Sequence, residues 1–150
     1  LKLKSDEYTE RVAKYPTDRF RKYDLGTVLF ELRDFDEAMA QFQAAKDEPK
    51  LHVRAALMLG RSFMEERWFG EAIGEFREAL QVLDISEKDR ELDVKYELMN
   101  ALMELARDEQ LGEHAREAKE ICSEIARKSI TYRDIRQKRR EIDDLVKELG

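Results

Sequence analysis

The side chains in this chain that could do chemistry are two histidines, one cysteine, many carboxylates and one run of arginines. His52 and His114 lie far apart in sequence, and neither has a cysteine or a second histidine at metal-ligand spacing. Both read as surface histidines, one at a junction between helix pairs and one in a polar loop. Cys122 is the only cysteine, so nothing in the chain requires an oxidising compartment. In "AKEICSEIA" it shares a helical stripe with Ala118 and Ile125 and reads as a small buried hydrophobe. The carboxylates alternate with Lys and Arg at i,i+4 spacing, which makes surface ion pairs rather than an acid–base dyad. There is no glycine-rich phosphate loop and no nucleophile elbow. The expectation is a non-catalytic chain with no cofactor and no metal.

The one local excess of positive charge is Arg133, Arg136, Lys138, Arg139 and Arg140. It reads either as a contact for an acidic peptide, a lipid headgroup or RNA, or as a solvated face with Arg139 and Arg140 four residues before Asp143 and Asp144. A formal net charge of −6 argues against general affinity for polyanions, so nucleic acid is the disfavoured partner.

The elements that carry these residues follow from composition and period. With only two prolines and six glycines in 150 residues, and abundant Ala, Leu, Glu, Lys and Arg, the chain reads as all-helical. No apolar run approaches the roughly 20 residues that span a bilayer. The first ten residues lack the apolar centre of a signal peptide. The chain opens on Leu1 rather than Met and reads as a piece of a longer protein, for which a cytoplasmic setting is the most compatible.

"DFDEAMAQFQAA", residues 34–45, returns as "WFGEAIGEFREA", residues 68–79. Phe35/Phe69, Ala38/Ala72, Phe42/Phe76 and Ala45/Ala79 stand in register, as do Leu25-Gly26/Leu59-Gly60 before them and Arg33/Arg67 at the turn between. Small residues at Gly26 and Ala38 allow two antiparallel helices to approach, and Phe42 fills the space between that pair and the next. Pro49 is expected to stop the second helix. A third, stretched unit puts Tyr96, Met99 and Met103 on the packing side of its first helix and Ala118, Cys122 and Ile125 on its second. Its extra residues are expected in two polar stretches, "DISEKDRE" and "RDEQLGE". Ser129 or Thr131 is expected to cap a final helix whose apolar stripe is Ile135, Ile142, Leu145, Val146 and Leu149.

These residues resemble the tetratricopeptide repeat family, a helix-turn-helix unit of about 34 residues with Leu-Gly in the first helix and Ala, Phe and Ala in the second. The third unit departs from the pattern, with Asn100 in the glycine slot and Cys122 in the aromatic one. The resemblance implies a right-handed α-solenoid of antiparallel helix pairs. Residues 1–18 would end a preceding helix, 19–52 and 53–86 would form two repeats, 93–129 a divergent one, and 130–150 a C-terminal cap.

The resemblance further implies a scaffold that binds a protein or peptide through a concave groove lined by the first helix of each pair. Carried over, that groove holds Tyr23, Asp24, Thr27 and Phe30, then Arg54, Met58, Arg61, Met64 and Glu65, then Glu97, Leu98 and Ala101. Phe30, Met64 and Leu98 read equally well as core. Family members that grip a terminal carboxylate do so with Lys and Asn. The corresponding slots here hold Tyr23, Thr27, Met58, Val94 and Leu98, so that mode is not expected. Regulation within a larger multidomain protein and self-association through an exposed repeat end are the other readings.

Overall fold

The computed structural model describes residues 2–150, which among them form eight α-helices and two short 3-10 turns. They fall into two compact units, one ending at Leu83 and the other spanning Asp84–Gly150.

The first unit contains α1 (Lys2–Lys14), α2 (Arg19–Glu31), α3 (Phe35–Ala45), α4 (His52–Glu65) and α5 (Phe69–Val82). Asp18 starts α2 by accepting from the backbone N–H groups of Phe20 and Arg21 at 3.0 and 3.2 Å, a side-chain N-cap. The helix ends in a Schellman turn. Arg33 takes a left-handed conformation (φ 63°), its N–H bonds Phe30 O, and the N–H of Asp34 reaches Leu29 O at 2.9 Å. Arg67 (φ 62°) ends α4 the same way, with Trp68 N–H on Phe63 O at 2.9 Å. Each arginine then lays its guanidinium 5.0 Å from the ring centre of the phenylalanine two residues on, Phe35 or Phe69. The repeated sequence therefore writes a repeated turn.

Packing explains the Leu-Gly and Phe register. α2 packs on α3, α4 on α5, and α3 on α4. Phe42 is fully buried in a cluster with Leu25, Leu29, Ala38 and, from α4, Leu59. A Cβ on Gly26 would lie 2.6 Å from Phe42 Cε1, and one on Gly60 only 2.3 Å from Phe76 Cε1. Real Cβ atoms do not approach so closely, so glycine is what lets each ring lie flat against the neighbouring helix. α1 docks on α2 and adds Tyr8 and Val12 to the same cluster. Pro49 does not end α3. The helix closes at Ala45, and Pro49 instead opens the 3-10 turn Pro49–Leu51, where its missing N–H costs nothing.

The second unit contains α6 (Glu91–Glu109), α7 (Gly112–Lys128) and α8 (Ile135–Leu149), preceded by the 3-10 turn Ile85–Arg90. Met99, Met103, Ala118, Cys122 and Ile125 are buried, as expected. "RDEQLGE" is not a loop, however. α6 runs into it as far as Glu109, and only Gln110, in a left-handed conformation (φ 56°), and the extended Leu111 separate it from α7. Lengthening the helix absorbs the extra residues and moves the hairpin register. Counting back from the left-handed residue as from Arg33 to Gly26 reaches Met103, not Asn100. Counting forward as to Ala38 and Phe42 reaches Ala115 and Lys119.

A glutamine in this conformation carries roughly 1 kcal/mol of steric cost that glycine avoids. Gln110→Gly is therefore expected to stabilise the protein by about 0.5 kcal/mol, the gain being trimmed by the freer unfolded chain. Chemical denaturation would read it.

Neither Ser129 nor Thr131 caps the last helix. Ser129 closes α7, its N–H on Ile125 O at 2.8 Å, and the N-cap position of α8 falls to Asp134. Asp134 makes no side-chain cap bond because its carboxylate accepts instead from the Tyr96 hydroxyl at 2.5 Å. The apolar stripe of α8 packs on α7, with Ile135, Ile142 and Leu145 buried and Val146 and Leu149 half-buried.

Candidate functional site

The residues expected to line a groove are taken unit by unit. In the first unit, Tyr23, Asp24, Thr27 and Phe30 lie on α2, and Arg54, Met58, Arg61, Met64 and Glu65 on α4. Asp24 and Glu65 are exposed, and the others are half-buried. Tyr23, Phe30 and Met58 each rest one side on the buried cluster around Phe42, with the Tyr23 ring 5.7 Å from that of Phe42. Arg54 holds its guanidinium 5.8 Å from the Tyr23 ring centre while donating to Lys50 O at 3.2 Å. Arg61 Nη1 lies 3.5 Å from Met58 Sδ. Thr27 spends its hydroxyl on Asp24 O at 2.7 Å, and Glu65 meets Arg33 at 3.4 Å. The result is a half-buried surface of aromatic, thioether and guanidinium groups, in which Tyr23, Phe30 and Met58 rest on the core and the two guanidinium groups lie against Tyr23 and Met58. Such side chains offer large contact area at low ordering cost.

In the second unit, Glu97 is half-buried, but Leu98 and Ala101 are 4% and 0% exposed. Both belong to the core, which corrects their assignment to a surface. Val94, at 0%, does likewise, so the carboxylate-gripping slots assigned to Val94 and Leu98 do not face solvent.

The basic run does not act as one face. Arg133 sits at positive φ (41°) with its guanidinium 4.8 Å from the Tyr96 ring centre and 5.3 Å from that of Tyr132, and 3.3 Å from Asp93 Oδ1. Tyr132 donates its hydroxyl to the same carboxylate, and the two tyrosine rings meet nearly edge-on at 5.8 Å. This knot ties the α7–α8 turn to the start of α6. Burial and the bond to Asp134 push the Tyr96 phenol up to about 12, and burial with the Asp93 bond pushes Tyr132 up as well. Lys138 pairs with Glu141 at 3.6 Å, and Arg139 with Asp143 at 3.4 Å and Ser123 Oγ at 3.3 Å. Arg136 and Arg140 are exposed.

Cys122 is 1% exposed with Sγ 3.8 Å from Ile135 O, and burial pushes its thiol up, away from a nucleophilic thiolate. His52 is less isolated than sequence spacing suggests. Its Nε2 lies 2.9 Å from Glu78 Oε2, which also accepts from Lys46 Nζ at 2.8 Å, while Glu75 takes another Lys46 proton at 2.9 Å. Burial works against the Lys46 charge, yet the bonds to Glu78 and Glu75 outweigh it and hold its pKa above the ordinary value. The Lys46 bond likewise lowers the Glu78 carboxyl. These partners are 26 to 32 positions apart, and no local signal announces them. His114 lies 3.4 Å from Glu109. Among the described residues no group of three or more His, Cys, Asp or Glu side chains could hold a metal ion, and no helix is long and apolar enough to cross a membrane.

No family model and no curated protein matches the chain. Among solved structures, the crystal structure of YrrB, described as a TPR protein with an unusual peptide-binding site, matches with a TM-score of 0.56 at 14% identity. The match covers 97% of this chain and 93% of that one. At that identity the likeness speaks for the backbone. The helix pairs, their Schellman turns and the glycine–phenylalanine contacts together give this chain the tetratricopeptide-repeat fold.

Proposed function

We propose that the chain is a non-catalytic scaffold that binds a protein or peptide segment on the α2/α4 face of its first unit. The observation that carries this reading is the half-buried surface of Tyr23, Arg54, Met58 and Arg61, in which the two guanidinium groups lie against the Tyr23 ring and the Met58 sulfur. Anchored aromatic, thioether and guanidinium groups bury apolar area on binding and lose little rotamer freedom. The likeness to a peptide-binding repeat protein supports the same reading. The exposed Asp24 at the edge would select a basic residue flanking the bound segment.

Peptides selected from a displayed library against the intact chain test the proposal. Affinity is expected to fall at least tenfold in Arg54→Ala/Arg61→Ala, because each guanidinium contact is worth about 1.5 kcal/mol, while the melting temperature stays nearly constant. Selected peptides that bind the folded double variant undiminished would remove this face from consideration.

A further inference from the structure

Where α7 ends and α8 begins, the second unit carries a feature that the α2/α4 reading leaves unused. A cleft of about 360 Å³ opens there, floored by Cys122, Ala126 and Ile135 and rimmed by Arg136, Arg139 and Arg140. Ile130 lies at its mouth, 50% exposed. A second cleft of about 420 Å³ shares Ile130, Arg136 and Arg140 with the first, so these three side chains stand between two adjoining hollows.

The charges around the clefts are not evenly matched. Asp134 is engaged by Tyr96, Glu141 by Lys138, and Asp143 by Lys119 at 3.3 Å and Arg139 at 3.4 Å. Arg136 and Arg140 have no hydrogen bond or ion pair among the described residues. Two unpaired guanidinium groups beside an exposed isoleucine are the complement of a carboxylate-rich segment carrying an aliphatic side chain. The first hollow, the one with an apolar floor, falls within the range of roughly 300–1,000 Å³ usual for ligand clefts.

We propose that this α7–α8 cleft binds an acidic protein segment. One aliphatic side chain of the segment packs on Ile130 and the Ala126–Ile135 floor, and flanking carboxylates pair with Arg136 and Arg140. The chemistry favours a peptide over nucleic acid. Arg133 already takes one face of each of the nearby rings, Tyr96 and Tyr132, and no aromatic side chain lines the cleft on which a base could stack. A short acidic segment meets only this patch, whereas a long polyanion would also meet the repulsion of a chain whose net charge is −6.

A fluorescein-labelled peptide of glutamates around a central leucine, titrated against the intact chain by fluorescence anisotropy, tests this. Its counterpart with serine at the centre is expected to bind roughly tenfold more weakly, the worth of about half an aliphatic side chain buried. Arg136→Glu/Arg140→Glu is expected to weaken the leucine peptide by roughly a hundredfold, about tenfold for each charged contact. Ile130→Ser is expected to erase the preference for leucine while leaving the serine peptide's affinity unchanged. All three positions are exposed, so circular dichroism should match the parent. If the charge reversal nevertheless unfolds the unit, Arg136→Gln/Arg140→Gln gives the same reading with a smaller loss. No binding of the leucine peptide, equal affinity for both peptides, or insensitivity to these substitutions would overturn the proposal. So would tighter binding of an oligouridylate of matched charge or of phosphatidylserine vesicles.

Discussion

Phe76→Ala is expected to lower stability by about 3–5 kcal/mol, the range for emptying a fully buried aromatic site. Its partner gives the sharper result. Gly60→Ala gains up to about 1 kcal/mol of helix propensity, but it places a Cβ 2.3 Å from Phe76 Cε1. The ring is packed on all sides and cannot retreat without strain, so the net cost is expected near 1–3 kcal/mol. In the Phe76→Ala background the obstruction is gone, and the same Gly60→Ala change should become stabilising. That reversal of sign is the signature of a direct contact. Trp68, the only tryptophan, stacks on Phe63 at 6.1 Å in the same unit, so its fluorescence during urea unfolding reports the effect where it arises. Additive effects of the two substitutions would show that the glycine is not there for the ring.

The second large effect belongs to the knot around Asp93. Asp93→Ala leaves the Tyr132 hydroxyl and the Arg133 guanidinium without their shared acceptor, at an expected cost of about 2 kcal/mol. Its pH dependence has a definite sign. A phenol whose folded value is raised binds its proton more tightly in the folded state. The stabilisation is therefore complete below the unfolded value near 10 and is lost as pH rises toward the folded value, about 12 for Tyr96 and higher still for Tyr132. Tyr96 and Tyr132 should thus ionise late in an alkaline absorbance titration, and Tyr96→Phe/Tyr132→Phe should abolish that late step. A titration that the double substitution leaves unchanged in its alkaline limb would mean that the knot does not form. Lys46 and Lys95, also held above their ordinary values, contribute to alkaline unfolding but are silent in phenolate absorbance.

The residues show where sequence reading succeeds. Leu25-Gly26, Phe42, Leu59-Gly60 and Phe76 were legible because close helix packing tolerates few side chains at those points, and a period of 34 repeats the constraint. The Arg33 and Arg67 correspondence was legible as a pair, although the left-handed turn and the cation resting on Phe35 or Phe69 were not. The third hairpin defeated the count. Adding residues to a helix and adding them to a loop give the same spacing between apolar stripes, and only the position of Gln110 distinguishes them. Leu98 and Ala101 were placed on a surface for the same reason. Arg133 looked like one more cation in a basic run because its partners, Tyr96 and Asp93, lie about 40 positions upstream.

The matching Schellman turns at Arg33 and Arg67 have a further consequence. Cutting the chain after each and joining Arg33 directly to Trp68 would bring together ends of the same backbone direction, with Gly26 facing Phe76 in place of Phe42. Inserting another copy at the same seam would be equally smooth. A gene for such a chain can shorten or grow by whole modules through unequal recombination, and each product inherits a junction already suited to folding.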